Sequence, residues 1–105
     1  MDKLTQYRQA IKTLIERHAR FKPRGKEVER QRIFDTEHDH YQLVNVGWHH
    51  VERIHHCVMH FDIKNHQVWI QHNSTEAEID KELIALGIAP EDIIIAFHRQ
   101  SLRPT

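Results

Sequence analysis

Eleven of the 105 residues are histidine, several times the share found in an ordinary soluble domain. Imidazole serves as zinc ligand, general base or proton sensor, and spacing decides which role is open to it. His56, His60 and Asp62 recur at even intervals in an alternating segment, so they are expected on one face of a strand. Trp69 and Gln71 should face them from the next strand. Residues four apart on a strand lie roughly 13 Å apart, too far for His56 and His60 to hold one ion. His60 and Asp62, about 7 Å apart at the backbone, converge only if a neighbouring strand adds a third group. The pairs His38/His40 and His55/His56 add none in this reading, since adjacent strand residues point to opposite faces. No metal and no other cofactor is expected, and the histidines read as solvated or interfacial.

Nucleophilic and nuclease chemistry fare no better. Cys57 is the chain's one cysteine, and it alternates with Met59, Phe61 and Ile63 in what reads as the core row. A thiol there acts as a small hydrophobe rather than a nucleophile. Asp35, Asp39 and Asp62 lack the partner residues of a metal-dependent nuclease; Asp62-Ile-Lys64 is the nearest echo. No enzyme is expected.

The elements that hold these residues follow from periodicity and punctuation. Leu4, Tyr7, Ile11, Leu14, Ile15, His18 and Phe21 recur every three or four residues and predict a helix over 3–21, ended by Pro23 and Gly25. Residues 28–34 read as an edge strand with mixed faces, and 35–39 as a polar turn. Strands follow over 40–48, 54–63 and 67–73. With Asn65-His66 as a two-residue turn, Ile63 faces Val68, Phe61 faces Ile70, Asp62 faces Trp69 and His60 faces Gln71. Thr75 and Glu78 have capping-box spacing ahead of a helix carrying Ile79, Leu83 and Leu86 and stopping at Gly87. A short apolar strand follows over 93–97. One α+β domain over 1–105 is implied, a two-layer sandwich. Its order is helix, four mostly antiparallel strands, helix and a short C-terminal strand, with both helices on one sheet face. The row of His56, Val58, His60 and Asp62 with Trp69 is then left outside as a candidate partner surface.

Charge narrows the class further. Lys plus Arg and Asp plus Glu are each 15, so the formal net charge is zero, against the positive surplus of a general nucleic-acid binder. The distribution is uneven, with 10 basic and 4 acidic side chains in residues 1–32, and 5 and 11 in the remainder. Such a dipolar chain suits docking to a complementary protein. Arg20, Lys22, Arg24 and Lys26 make a basic loop that could touch phosphates or a partner, with Arg30 and Arg32 beside it. No Gly-rich phosphate loop, helix-turn-helix or interleaved aromatic accompanies it. No apolar run is long enough to span a bilayer, and the N-terminus lacks a signal-peptide pattern, so a cytoplasmic protein is expected.

Three stretches, IFDTEHDHYQLVNVGW over 33–48, HFDIKNHQVWIQHN over 60–73 and GIAPEDIIIAFH over 87–98, together resemble the XisI family. These are the fdxN element excision controlling factors of cyanobacteria. The opening residues 1–8 fit as well, so the resemblance spans nearly the whole chain. It implies a small α+β protein acting beside a XisH-type, nuclease-like partner to control excision of a DNA element by a site-specific recombinase. It brings no catalytic residues. Two departures stand out: the hairpin turn, usually Asp-Gly or similar in the family, is Asn65-His66, and the tail after His98 is short and carries one proline. The expected function is that of a non-enzymatic accessory factor contacting its partner, or a second copy of itself, through His56, His60, Asp62, Trp69 and Gln71. Contact with DNA is expected through the partner. Two alternatives are a metal- or ligand-binding enzyme built on His60 and Asp62, and a direct DNA-binding regulator using the basic region 20–32.

Overall fold

The computed structural model describes residues 2–21 and 27–97. The stop at Pro23 and Gly25, and the loop residues Lys22, Arg24 and Lys26, lie outside them. Helix α1 runs Lys3–Ala19; Asp2 caps it by accepting the Thr5 N–H at 2.8 Å. Its buried stripe is Tyr7, Ala10, Ile11, Leu14, Ile15 and Ala19. Phe21, expected on that stripe, lies past the helix end and is 70% exposed.

Four strands form an antiparallel meander: β1 (Glu27–Asp35), β2 (His40–His49), β3 (Glu52–Lys64) and β4 (Gln67–Asn73). After α2 (Ile79–Ala85), strand β5 (Ile93–Ile95) pairs parallel to β4 and completes an open five-stranded sheet in sequence order. The predicted C-terminal strand is shorter than its apolar run, although Ala96 N–H still donates to Ile70 O. Asn65 and His66 both have positive φ, 51° and 61°, the geometry a two-residue hairpin needs to match strand twist. The predicted pairs Ile63–Val68, Phe61–Ile70 and Asp62–Trp69 all form.

Both helices pack on one sheet face. Ile11, Leu14 and Ile15 of α1 and Leu83 of α2 meet Tyr41, Leu43, Met59, Phe61, Val68 and Ile70 in a single core. Full burial of each such side chain stabilises the fold by about 1.5–3 kcal/mol, so the apolar rows set the register. No helix among the described residues is long and apolar enough to cross a membrane.

The capping box does not form. Helix α2 starts after Glu78, which makes no side-chain cap bond. Thr75 instead joins Asn73 in a local turn: Asn73 Oδ1 accepts from Thr75 N–H and hydroxyl, and Thr75 Oγ1 accepts from Ala77 N–H. A threonine hydroxyl engaged two residues on cannot also cap a helix that begins later. The other end follows expectation. Gly87, at φ 107°, passes its N–H to Ile84 O, and Ile88 N–H reaches Leu83 O.

Two polar ties fix α1 to the sheet and to the C-terminal segment. Asp39 accepts from Arg8 Nε at 2.8 Å and from the Tyr41 hydroxyl at 2.8 Å. Asp92 accepts from Lys3 Nζ at 2.6 Å and from the Tyr7 hydroxyl at 2.6 Å. Lys3, then Tyr7, holds the Asp92 carboxyl below its ordinary value of 3.8. A depressed carboxyl contributes stability above its unfolded value and loses it as pH falls through the folded one. The melting-temperature gap between the native protein and Asp92→Asn should therefore be full near neutrality and shrink as pH drops below 3.8. Thermal melts across that range check it; an unchanging gap would assign the effect to shape rather than charge.

Candidate functional site

The face away from the helices carries the alternate residues of every strand. On β2 these are His40, Gln42, Val44, Val46 and Trp48; β1 adds Ile33 opposite Gln42 and Glu29 opposite Val46. Asp62 and Trp69 sit side by side across β3 and β4. Trp48 is 48% exposed and Ile33 44%, whereas Val46 and Trp69 are half-buried. The Arg53 guanidinium lies 5.3 Å from the Trp48 ring centre, and Lys64 Nζ the same distance from Trp69.

Two bulges decide which histidines reach this face. Between β2 and β3 the register shifts past Val58: Val44 pairs with Cys57, but Leu43 with Met59. Between β3 and β4 it shifts past Gln71: Phe61 pairs with Ile70, but His60 with His72. Each bulge admits one extra residue and re-aims its neighbours. The first corrects the expected outer row. His56 pairs with Asn45 on the helix side and lines a cavity of about 370 Å³ with Arg30, Asn45 and Val58. Val58 itself is in the core, 2% exposed. Cys57, expected in the core, turns to the open face beside Val44, and burial pushes its thiol up. A raised thiol is a poor nucleophile at neutral pH. The second bulge corrects the predicted His60–Gln71 pair.

The same shifts build a cluster. The first brings His40 opposite Asp62, with Nδ1 2.7 Å from Asp62 Oδ1. His60, two residues earlier on β3, places Nε2 2.9 Å from the same oxygen. The displaced Gln71 donates Nε2–H to Oδ2 at 3.0 Å. Asp62 is 6% exposed. Burial pushes its carboxyl up, but the contacts to His40, His60 and Gln71 outweigh this and hold it below the ordinary value. Of the residues predicted from sequence, His60, Asp62, Trp69 and Gln71 come together, and His56 does not. His40 and Trp48 were missed. His40 would have emerged only with the bulge at Val58 in hand, and Trp48 from carrying the β2 alternation to its end.

The basic region divides as well. Arg20 is exposed at the α1 C-cap. Arg30 turns towards α1 and donates to His18 O at 2.8 Å, and Arg32 pairs with Glu16. Both arginines tie β1 to the C-terminal part of α1.

A family model described as XisI protein matches residues 1–105. The chain belongs to the XisI family. Among solved structures it is similar to a XisI-like protein from Anabaena variabilis ATCC 29413, with 41% identity and a TM-score of 0.83. That match covers 89% of this chain and 85% of the other. It is also similar to the fdxN element excision controlling factor XisI from the same organism, with 33% identity and a TM-score of 0.81. There the cover is 98% of this chain and 100% of that one. No curated protein matches the sequence significantly. The α+β fold expected from the XisI resemblance is the one observed.

Proposed function

We propose that this XisI-family chain is a non-enzymatic controlling factor that works by binding another protein through its open sheet face. The partner is a XisH-type, nuclease-like protein, and the process is excision of a DNA element by a site-specific recombinase. The observation that supports this most is the exposed Trp48 and Ile33, beside half-buried Val46 and Trp69, on a face that neither helix covers. Aromatic anchors ringed by polar groups are what interfaces use. Catalysis has less to work with. The Asp62 carboxylate is held on both oxygens, and the Cys57 thiol is raised.

Co-expression with the XisH-type protein, followed by light scattering on the purified material, tests the reading. A stable species at the summed mass of the two chains is expected. Two separate peaks, with this chain still folded, would remove the partner. A single peak at twice this chain's mass would instead make the face a self-association surface.

A further inference from the structure

His40, His60 and Asp62 each offer one ligand-type atom on the open face, and the three atoms lie within 4.8 Å of one another. We propose that His40 Nδ1, His60 Nε2 and Asp62 Oδ1 form a three-ligand site for a divalent transition ion of the zinc class. Two imidazoles and one carboxylate are a standard donor set for such an ion, with bonds of about 2.0–2.2 Å. A tetrahedral ion with these bonds spaces its ligands roughly 3.3 Å apart. The Nδ1–Oδ1 and Nε2–Oδ1 separations are 2.7 and 2.9 Å. Admitting the ion therefore needs each contact to open by about half an ångström, within reach of small side-chain rotations.

The surroundings match a metal site beyond its three ligands. Gln71 grips the second Asp62 oxygen, as outer partners orient ligating carboxylates. The bulge residue that provides this grip has no partner opposite it in the β3–β4 ladder. His40 has a half-exposed side chain, which leaves a path for the ion and a fourth position for water or a partner's side chain. Without the ion, one nitrogen of each imidazole lies within hydrogen-bond distance of one carboxylate oxygen. A ligating imidazole presents the lone pair of an unprotonated nitrogen, so each ring would hold the ion with its proton on the outward nitrogen. The ion would also compensate the charge of the buried carboxylate. Among the described residues, neither His56 nor His72 belongs to the set, which makes the prediction specific.

Zinc chloride titrated calorimetrically into tag-free, chelator-treated protein tests it. The expected result is saturable binding of about one equivalent of Zn²⁺. His40→Ala and His60→Ala should each weaken it by roughly a hundredfold, and Gln71→Ala by about tenfold. His56→Ala and His72→Ala should leave it unchanged. Melting curves with chelator present show whether each variant is folded, and His40→Gln serves where His40→Ala is not. Histidine ¹⁵N shifts give a second readout, with the ring nitrogens of His40 and His60 moving on zinc addition. No saturable binding overturns the proposal. So does binding that survives loss of both His40 and His60, or that depends equally on His56 and His72.

Discussion

Phe61→Ala is expected to lower the unfolding free energy by about 3–5 kcal/mol. Phe61 is completely buried on the middle strand β3, paired with Tyr41 of β2 and Ile70 of β4. It belongs to the core shared by both helices and the sheet. Truncation forfeits the ring's burial and leaves a void that a closely packed sheet can only partly close. Domains of this size hold only about 5–15 kcal/mol in total, so a large fraction of the margin would go. Urea unfolding followed by circular dichroism reads this as a lower midpoint at unchanged slope. A loss below about 1 kcal/mol would mean that the core is not organised around this residue.

Gly47→Ala is expected to cost about 2–4 kcal/mol and to loosen β1 selectively. Gly47 pairs with Val28 on the helix side of the sheet. A Cβ there would fall 2.0 Å from Glu27 O and 2.7 Å from Val28 Cα. These are backbone atoms, so no side-chain rotation relieves the clash. Strand β1 is the sheet edge and has only one neighbour, so it yields before β2 does. Amide exchange should accelerate over residues 28–34 while β3 and β4 keep their protection. Equal acceleration throughout would point to global destabilisation, and none at all would contradict the close approach of β1 to Gly47.

The β3–β4 hairpin was legible in the sequence because two signals coincided there. Asn65-His66 tolerates positive φ, and the apolar rows Phe61/Ile63 and Val68/Ile70 match in one register. Helix α1 was legible from its three-and-four spacing, apart from Phe21. The bulges were not. Cys57-Val58-Met59 is apolar on consecutive positions, so strict alternation gave no warning that Val58 and Met59 both enter the core. That one extra residue moved His56 to the helix side, brought Cys57 outside and set His40 against Asp62. At Gln71 a polar side chain in a polar row hid the second shift in the same way. Strand β1 was readable as an edge, but not that Arg30 and Arg32 face α1. Their partners, His18 O and Glu16, lie on the preceding helix, and strand alternation alone does not pair a β1 position with them.

The reading of this XisI-family protein as a binding factor is tested most directly by titrating the XisH-type protein into three forms of the chain. These are the native protein, a Trp48→Ala/Trp69→Ala double variant on the open face, and Gln9→Ala on the exposed side of α1. Anchor tryptophans contribute about 2 kcal/mol each, so the double variant should bind roughly a thousandfold more weakly. Gln9→Ala should bind as the native protein does. Native affinity in the double variant, with its fold intact, would contradict the open sheet face as the working surface.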